Sequence, residues 1–213
     1  MISFLSFIVA LGSPGAEAAP ATYNLNKGDL YVKVYKDTKT LAASQAHNHL
    51  ILASNWGGSF TFDPDNPSAC KLSVYVPVKE MVVDADADRK RLGGRKEFTN
   101  SISDSQRKEV RKNMLAKGQL NADQHEYITF DQSGSGCVSK GGGSYDIIGN
   151  FTLRGKSKEY TVSGAAITVD GGKVSLKGGF TLLASDHGFK PYKALMGAVA
   201  NQDKMRLSFD IGN

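Results

Sequence analysis

Four histidines, an alternating run of aspartates and one pair of cysteines are the residues of this chain whose types and spacing invite chemistry. His47-x-His49 sets two imidazoles two residues apart, which on a β-strand puts both rings on one face, a geometry that can chelate a metal. Two ligands are too few, and neither His125 nor His187 stands near enough in sequence to complete a set. Asp84, Asp86 and Asp88 alternate as in a calcium loop, but no Gly or Glu follows at the spacing such a loop needs. A solvated acidic turn is expected there instead. The chain has no Gly-x-Ser-x-Gly elbow, phosphate-binding loop or dinucleotide fingerprint, so no nucleophile–base pair can be named. No catalytic residue, metal or cofactor is expected, and the chain reads as a non-enzyme.

Cys70 and Cys137 are the two cysteines. In an oxidising compartment such a pair is a disulfide candidate; elsewhere it is two separate thiols. If the strand opened by Cys70 pairs antiparallel with the one beginning at Tyr127, Cys137 near the end of the latter comes beside Cys70. A metal site is poorly supported, since neither has a His or second Cys at ligand spacing.

The net charge is +5. Bases concentrate at Arg89-Lys90-Arg91, Arg95-Lys96 and the Arg107, Lys108, Arg111, Lys112 group. No aromatic residues interleave with them as a nucleic-acid stacking platform requires, so a solvated basic face is expected, suited to transient contact with an anionic membrane surface. Residues 1–18 read as a signal peptide: an apolar run from Met1 to Leu11, a Gly12-Ser13-Pro14-Gly15 break, then Ala16-Glu17-Ala18 as the cleavage site. The run is too short to span a bilayer, and it lacks the usual preceding Lys or Arg. Its removal takes one acid and no base, leaving a slightly larger basic excess. The expected location is periplasmic or secreted.

The elements that would position these residues are mainly strands. From Gly28 the period is two: Leu30–Lys36, Ser59–Asp63, Cys70–Met81, Tyr127–Asp131, Tyr145–Leu153, Glu159–Val169, Val174–Leu182 and Met205–Ile211 alternate apolar and polar residues. Turns are marked by Asp63-Pro64-Asp65-Asn66-Pro67, a Gly/Ser-rich hairpin after Asp131, Arg154-Gly155 and Asp170-Gly171-Gly172-Lys173. Residues 84–100 are charged and irregular. Ser103-Asp104-Ser105-Gln106 fits a capping box opening a short amphipathic helix, with Val110, Met114 and Leu115 on one side and Gly118 as its C′ glycine. An all-β fold follows: an eight-stranded antiparallel up-and-down barrel with a short helical insert, in one domain.

Three stretches together resemble the YceI-like lipid-binding family. They are His47 through Gly58-Ser59-Phe60-Thr61-Phe62-Asp63 into Leu72–Val76, then Gly149–Lys158, and Ser185-Asp186-His187-Gly188-Phe189 before the last strand. Phe98, the helix and Tyr127–Phe130 sit where that family has a helical insert and an Ile-x-Phe strand. Phe151 replaces a usual Leu, and His187-Gly188-Phe189 departs from the common sequence. The resemblance covers residues 22–213 and implies an extended lipocalin-like barrel, secretion to the periplasm and a polyisoprenoid or similar amphiphilic lipid in the lumen; separately, a monomer or homodimer is expected.

An eight-stranded barrel can be filled by its own side chains or can hold one ligand. The residues expected to face the interior in either case are Phe60, Phe62, Leu72, Val74 and Val76 from the first half of the chain. Ile128, Phe130, Phe151, Leu153 and Val162 follow, then Leu176, Phe180, Leu207 and Phe209. Gly149, Gly164 and Gly178 interrupt strands, where glycine marks a bend or close approach of another group. The apolar segment Phe189–Val199 is expected to line or cover one mouth through Phe189, Tyr192 and Leu195.

Overall fold

Strands with apolar residues at alternate positions need a shared interior to bury one face. The computed structural model, which describes residues 20–213 except Arg95, provides it with one curled antiparallel sheet. The expected signal peptide at residues 1–18 lies outside the described residues. In chain order the strands are β1 (Ala21–Leu25), β2 (Lys27–Lys36), β3 (His49–Leu52), β4 (Gly57–Phe62), β5 (Lys71–Pro77), β6 (Val82–Val83), β7 (Tyr127–Gly141), β8 (Ser144–Leu153), β9 (Lys156–Asp170), β10 (Lys173–Leu183), β11 (Lys193–Ala194) and β12 (Val199–Gly212). Two α-helices, α1 (Asp86–Leu92) and α2 (Asp104–Leu115), lie between β6 and β7.

The sheet order is β1-β4-β5-β7-β8-β9-β10-β12-β2-β3-β6, with β11 on β12. Twelve strands thus replace the expected eight. The added strands β3, β6 and β11 are only 4, 2 and 2 residues long, too short to show a period. The fourth arises because the chain bends at its start: Asn26 alone separates β1, paired with β4, from β2, paired with β12. One bent segment therefore joins the two flanks of the sheet and curls it around a core. Gly28, two residues past the break, takes φ 99° and has room for no Cβ, which would lie 2.1 Å from the Asp210 carbonyl oxygen.

Gly171 and Gly172, both at positive φ, close the β9–β10 hairpin with Lys173 opposite Asp170, the primed turn that suits strand twist. The Gly/Ser-rich hairpin after Asp131 forms at its far end: the chain stays in β7, where the register slips between Gln132 and Cys137, and turns at Gly142-Gly143. A bulge absorbs the extra residues.

In α2 the Ser103 hydroxyl accepts from the Gln106 N–H and the Gln106 side chain accepts from the Ser103 N–H, so the capping box forms. The helix ends before Gly118, at Leu115, because Ala116 turns extended. Helix α1 replaces the expected irregular acidic turn; its start follows Asp84, which takes φ 54° and turns inward.

One end of the barrel is solid. Phe60 stacks on Phe62 with centroids 5.2 Å apart, and Phe62 meets Tyr145 edge-on at 5.3 Å. Leu25, Ile147, Val174 and Leu176 complete this buried cluster. Each fully buried large apolar side chain there contributes roughly 1.5–3 kcal/mol relative to exposure. Cys70 and Cys137 are bridged beside it, their Cα atoms 5.7 Å apart. The bridge staples the antiparallel β5–β7 pair, in which Ser73 faces Asp131.

Candidate ligand-binding site

Toward the other end the interior opens into a cavity of about 230 Å³. Its wall follows from the register. Val32 faces Leu207 and Leu30 faces Phe209 across β2–β12, while Val74 faces Phe130 and Val76 faces Ile128 across β5–β7. All eight side chains line the space. From Met205 to Ile211, the lining on β12 follows about 20 Å of strand at ~3.3 Å per residue.

Of the interior residues expected from sequence, Leu72, Val74, Val76, Ile128, Phe130, Phe151, Leu153, Val162, Phe180, Phe189, Tyr192, Leu207 and Phe209 lie on this wall. Four do not. Phe60, Phe62 and Leu176 belong to the solid end, where rings from facing strands meet and leave no space. Leu195 points to solvent, 64% exposed beside Met196, because the chain takes left-handed backbone at both residues and swings them outward. Sequence reasoning missed Leu30, Val34, His49, Ile51, Ala53, Leu120 and Met205. Leu30, Val34 and Met205 carried the same period-two signal as their neighbours; the others sit on strands too short to read or in loops.

The glycine positions resolve differently. A Cβ on Gly149 would lie 2.3 Å from the Phe130 ring, and one on Gly178 would lie 2.9 Å from the Phe209 ring. The close approach they permit is by the protein's own aromatics. Gly164 sits at φ 66° near the slip between Tyr145 and Ile147 in the β8–β9 ladder.

Helix α2 and the segment after β10 form a lid. Val110, Asn113 and Met114 from the helix and Phe189 and Tyr192 from the segment line the cavity. The Asn113 amide donates to the Tyr192 hydroxyl at 3.2 Å, and the Gln119 amide donates to the Lys190 carbonyl at 3.0 Å. Arg154 spans the same pieces, donating to the Gly188 carbonyl at 2.7 Å and the Lys117 carbonyl at 3.0 Å. The lid is thus held by these polar contacts together with the packing of Phe189, Val110, Met114 and Leu120 against the core.

The barrel wall also thins at this end. Strands β9 and β10 are paired only from Lys173–Asp170 to Lys177–Ala166. Beyond that, side chains replace the ladder: Tyr160 packs 5.0 Å from Phe180, which lies 5.4 Å from Phe151. His187, fully buried, engages the Lys156 carbonyl through Nδ1 at 2.9 Å and the Tyr160 hydroxyl through Nε2 at 3.2 Å. Burial, then the nearby Asp186 carboxylate, pushes the Tyr160 phenol up to about 12. Burial lowers the His187 imidazole below the ordinary histidine value.

A charged network backs the opposite wall. His49 lines the cavity, and its Nδ1 lies 2.6 Å from Asp84 Oδ2. Asp84 Oδ1 accepts from the Leu50 N–H at 2.8 Å and from Arg89 at 2.7 Å. Arg89 also donates to the Asn48 and Asn100 carbonyls. Asp84 and Arg89 are therefore a buried ion pair and not parts of a solvated acidic turn and basic face. Burial would raise the Asp84 carboxyl, but the His49 contact, the Leu50 N–H and Arg89 outweigh it and hold it below the usual carboxylate range. The rest of the basic region conforms better: Lys90, Lys108 and Lys112 are exposed, and Arg107 pairs with Asp86. His47 and His49 do not form a chelating pair, because His49 is turned onto Asp84. Among the described residues no three His, Cys, Asp or Glu side chains converge as a metal site.

A curled antiparallel barrel with a lidded apolar cavity is the class this geometry defines. The chain belongs to the YceI-like domain family, whose model matches residues 36–212. A UPF0312 protein of Pseudomonas aeruginosa is 28% identical over 190 residues, covering 85% of each chain. The crystal structure of Burkholderia cenocepacia BcnA superposes with a TM-score of 0.61 at 14% identity, over 87% of this chain and 96% of that one. The Campylobacter jejuni YCEI protein gives 0.53 at 12% identity, over 76% and 82%. These two likenesses show the fold.

Proposed function

We propose that this protein is an exported carrier that holds one long apolar chain, a polyisoprenoid or similar amphiphile, between the barrel wall and its lid. The observation that carries this reading is the cavity itself: about 230 Å³, walled by Leu, Val, Ile and Phe side chains along an extended path. Dry apolar cavities of this order accept apolar guests. Affinity would come from area at roughly 0.8 kcal/mol per buried CH₂, so about ten methylenes would supply roughly 8 kcal/mol, near the micromolar range. The reading is of binding without chemistry, since the cavity wall presents one imidazole and no nucleophile beside it. Export is supported by the residue pattern of 1–18 and by the Cys70–Cys137 bridge, which oxidising compartments favour.

Native mass spectrometry and solvent extraction of the purified protein test it. A stoichiometric long-chain lipid is expected, lost in a Val162→Phe variant that remains folded. Protein that carries no lipid and, after delipidation, binds no long-chain hydrocarbon or alcohol would refute it.

A further inference from the structure

His49 is the one imidazole among the described lining residues; Tyr31, Thr129 and Asn201 also bring polar groups to the wall. Asn113 and Gln119 direct their amide N–H groups to Tyr192 and to the Lys190 carbonyl. His49 Nδ1 is fixed on Asp84, while Nε2 has no hydrogen-bond partner among the described residues and is not one of the buried unsatisfied atoms. Its place is defined by the ladder: His49 faces Val34, and Val34 faces Met205, near the lid end of the wall. Below it Leu207, Phe209 and Ile211 descend toward the solid end.

The charge balance sets what this nitrogen would take. Asp84 and Arg89 already neutralise each other, and Arg89 also donates to the Asn48 and Asn100 carbonyls. An Nδ1–H donated to Asp84 leaves the neutral ring with an Nε2 lone pair, because the partner of one nitrogen fixes the tautomer of the other. No Lys, Arg, Asp or Glu is among the described lining residues, so an ionised head group would have no counter-charge inside. Burying one without a partner is costly. A neutral O–H donor has none of that cost and meets the acceptor that is free.

Building on the carrier reading, we propose that His49 is a head-group anchor and that the ligand is a long-chain alcohol, its hydroxyl donating to Nε2 at the lid end and its tail running toward Phe60 and Phe62. The Asp84–Arg89 pair is the positioning element that holds the ring.

Delipidated protein is titrated with a matched C20 set: the hydrocarbon, the alcohol, the carboxylate and the monophosphate. One neutral hydrogen bond predicts that the wild type binds the alcohol about three- to tenfold tighter than the hydrocarbon and tighter than either anion. In His49→Phe the preference for the alcohol over the hydrocarbon should vanish. Should that variant fail to fold, the ¹⁵N resonance of His49 Nε2 in the wild type reads the same contact, shifting with the alcohol and not with the hydrocarbon. An alcohol preference that survives His49→Phe, an unmoved Nε2 resonance, or a preferred anion overturns the anchor but leaves the carrier. Absence of binding by every member of the set overturns both.

Discussion

The two ends of this barrel draw on the same alternation of apolar residues and differ in what those residues meet. At the solid end Phe60, Phe62 and Tyr145 close ring on ring, and a disulfide ties β5 to β7. At the hollow end the β9–β10 ladder stops at Ala166 and Lys177, and a lid with polar ties spans the gap. Packing and open space are thus separated along one axis: the first end is filled by its own side chains, and the second keeps a cavity.

The largest effect expected from this division is on Phe60. Truncation to Ala in a filled core costs roughly 3–5 kcal/mol, part of it for the cavity left behind. Phe130→Ala, at the cavity wall, only widens an existing space and should cost at least 1 kcal/mol less by the same cavity argument. Denaturant unfolding of both variants decides it, and equal losses would erase the division. Next, Cys70→Ser with Cys137→Ser opens a loop of 67 residues and should cost roughly 2–4 kcal/mol. Since the staple sits at the solid end, lipid affinity should move less than about twofold once allowance is made for folding.

Overpacking sharpens the same contrast. Ile147→Phe adds volume where none is free and should cost about 1–3 kcal/mol. Val162→Phe should cost less, because its new ring enters the cavity, and should expel the lipid. If both destabilise equally, the cavity is not the accommodating space described.

Acid reaches the hollow end first. His187 is depressed by burial, as is His47, with His49 and Arg89 adding to the effect there. A histidine with a lowered folded pKa contributes stability that is complete above the unfolded value near 6.5 and declines as pH falls through and below it, since the unfolded chain takes the proton first. Asp84, held low by His49, Leu50 and Arg89 against its burial, adds a second loss only below about pH 4. The urea midpoint measured against pH should therefore fall in two steps. His187→Phe should flatten the upper one, and an unchanged upper slope would remove His187 as its source.

Much of this was legible in sequence where a segment was long enough to show its period. The inward faces of β5, β8, β10 and β12 follow directly from alternation, and the Ser103–Gln106 capping box marks the start of α2. What alternation could not show is which apolar side chains close on one another and which leave space, because both have one pattern; Phe60 and Phe130 look alike on paper. Short strands were invisible for want of a period, and β3 carries His49. The Asp84–Arg89 pair was misread because a five-residue spacing in a charged run resembles a solvated surface until the chain turns Asp84 inward at positive φ.

The smallest effect tests the lid itself. Tyr192→Phe removes the hydroxyl that accepts from Asn113 and keeps the ring on the cavity wall. A neutral hydrogen bond is worth about 1 kcal/mol net, so folding stability should fall by about 1 kcal/mol or less. Under the proposed carrier function, the same quantity taken from a lid that opens for release predicts a lipid dissociation rate about fivefold faster. The matched control is Thr22→Val, which removes the 2.9 Å hydroxyl contact with Thr61 on β1 and β4, remote from the lid. It should leave the release rate unchanged. If stopped-flow transfer of lipid to acceptor vesicles shows the two variants alike, release does not pass through the α2–Tyr192 contact, and the interrupted β9–β10 wall at Phe180 becomes the route to examine.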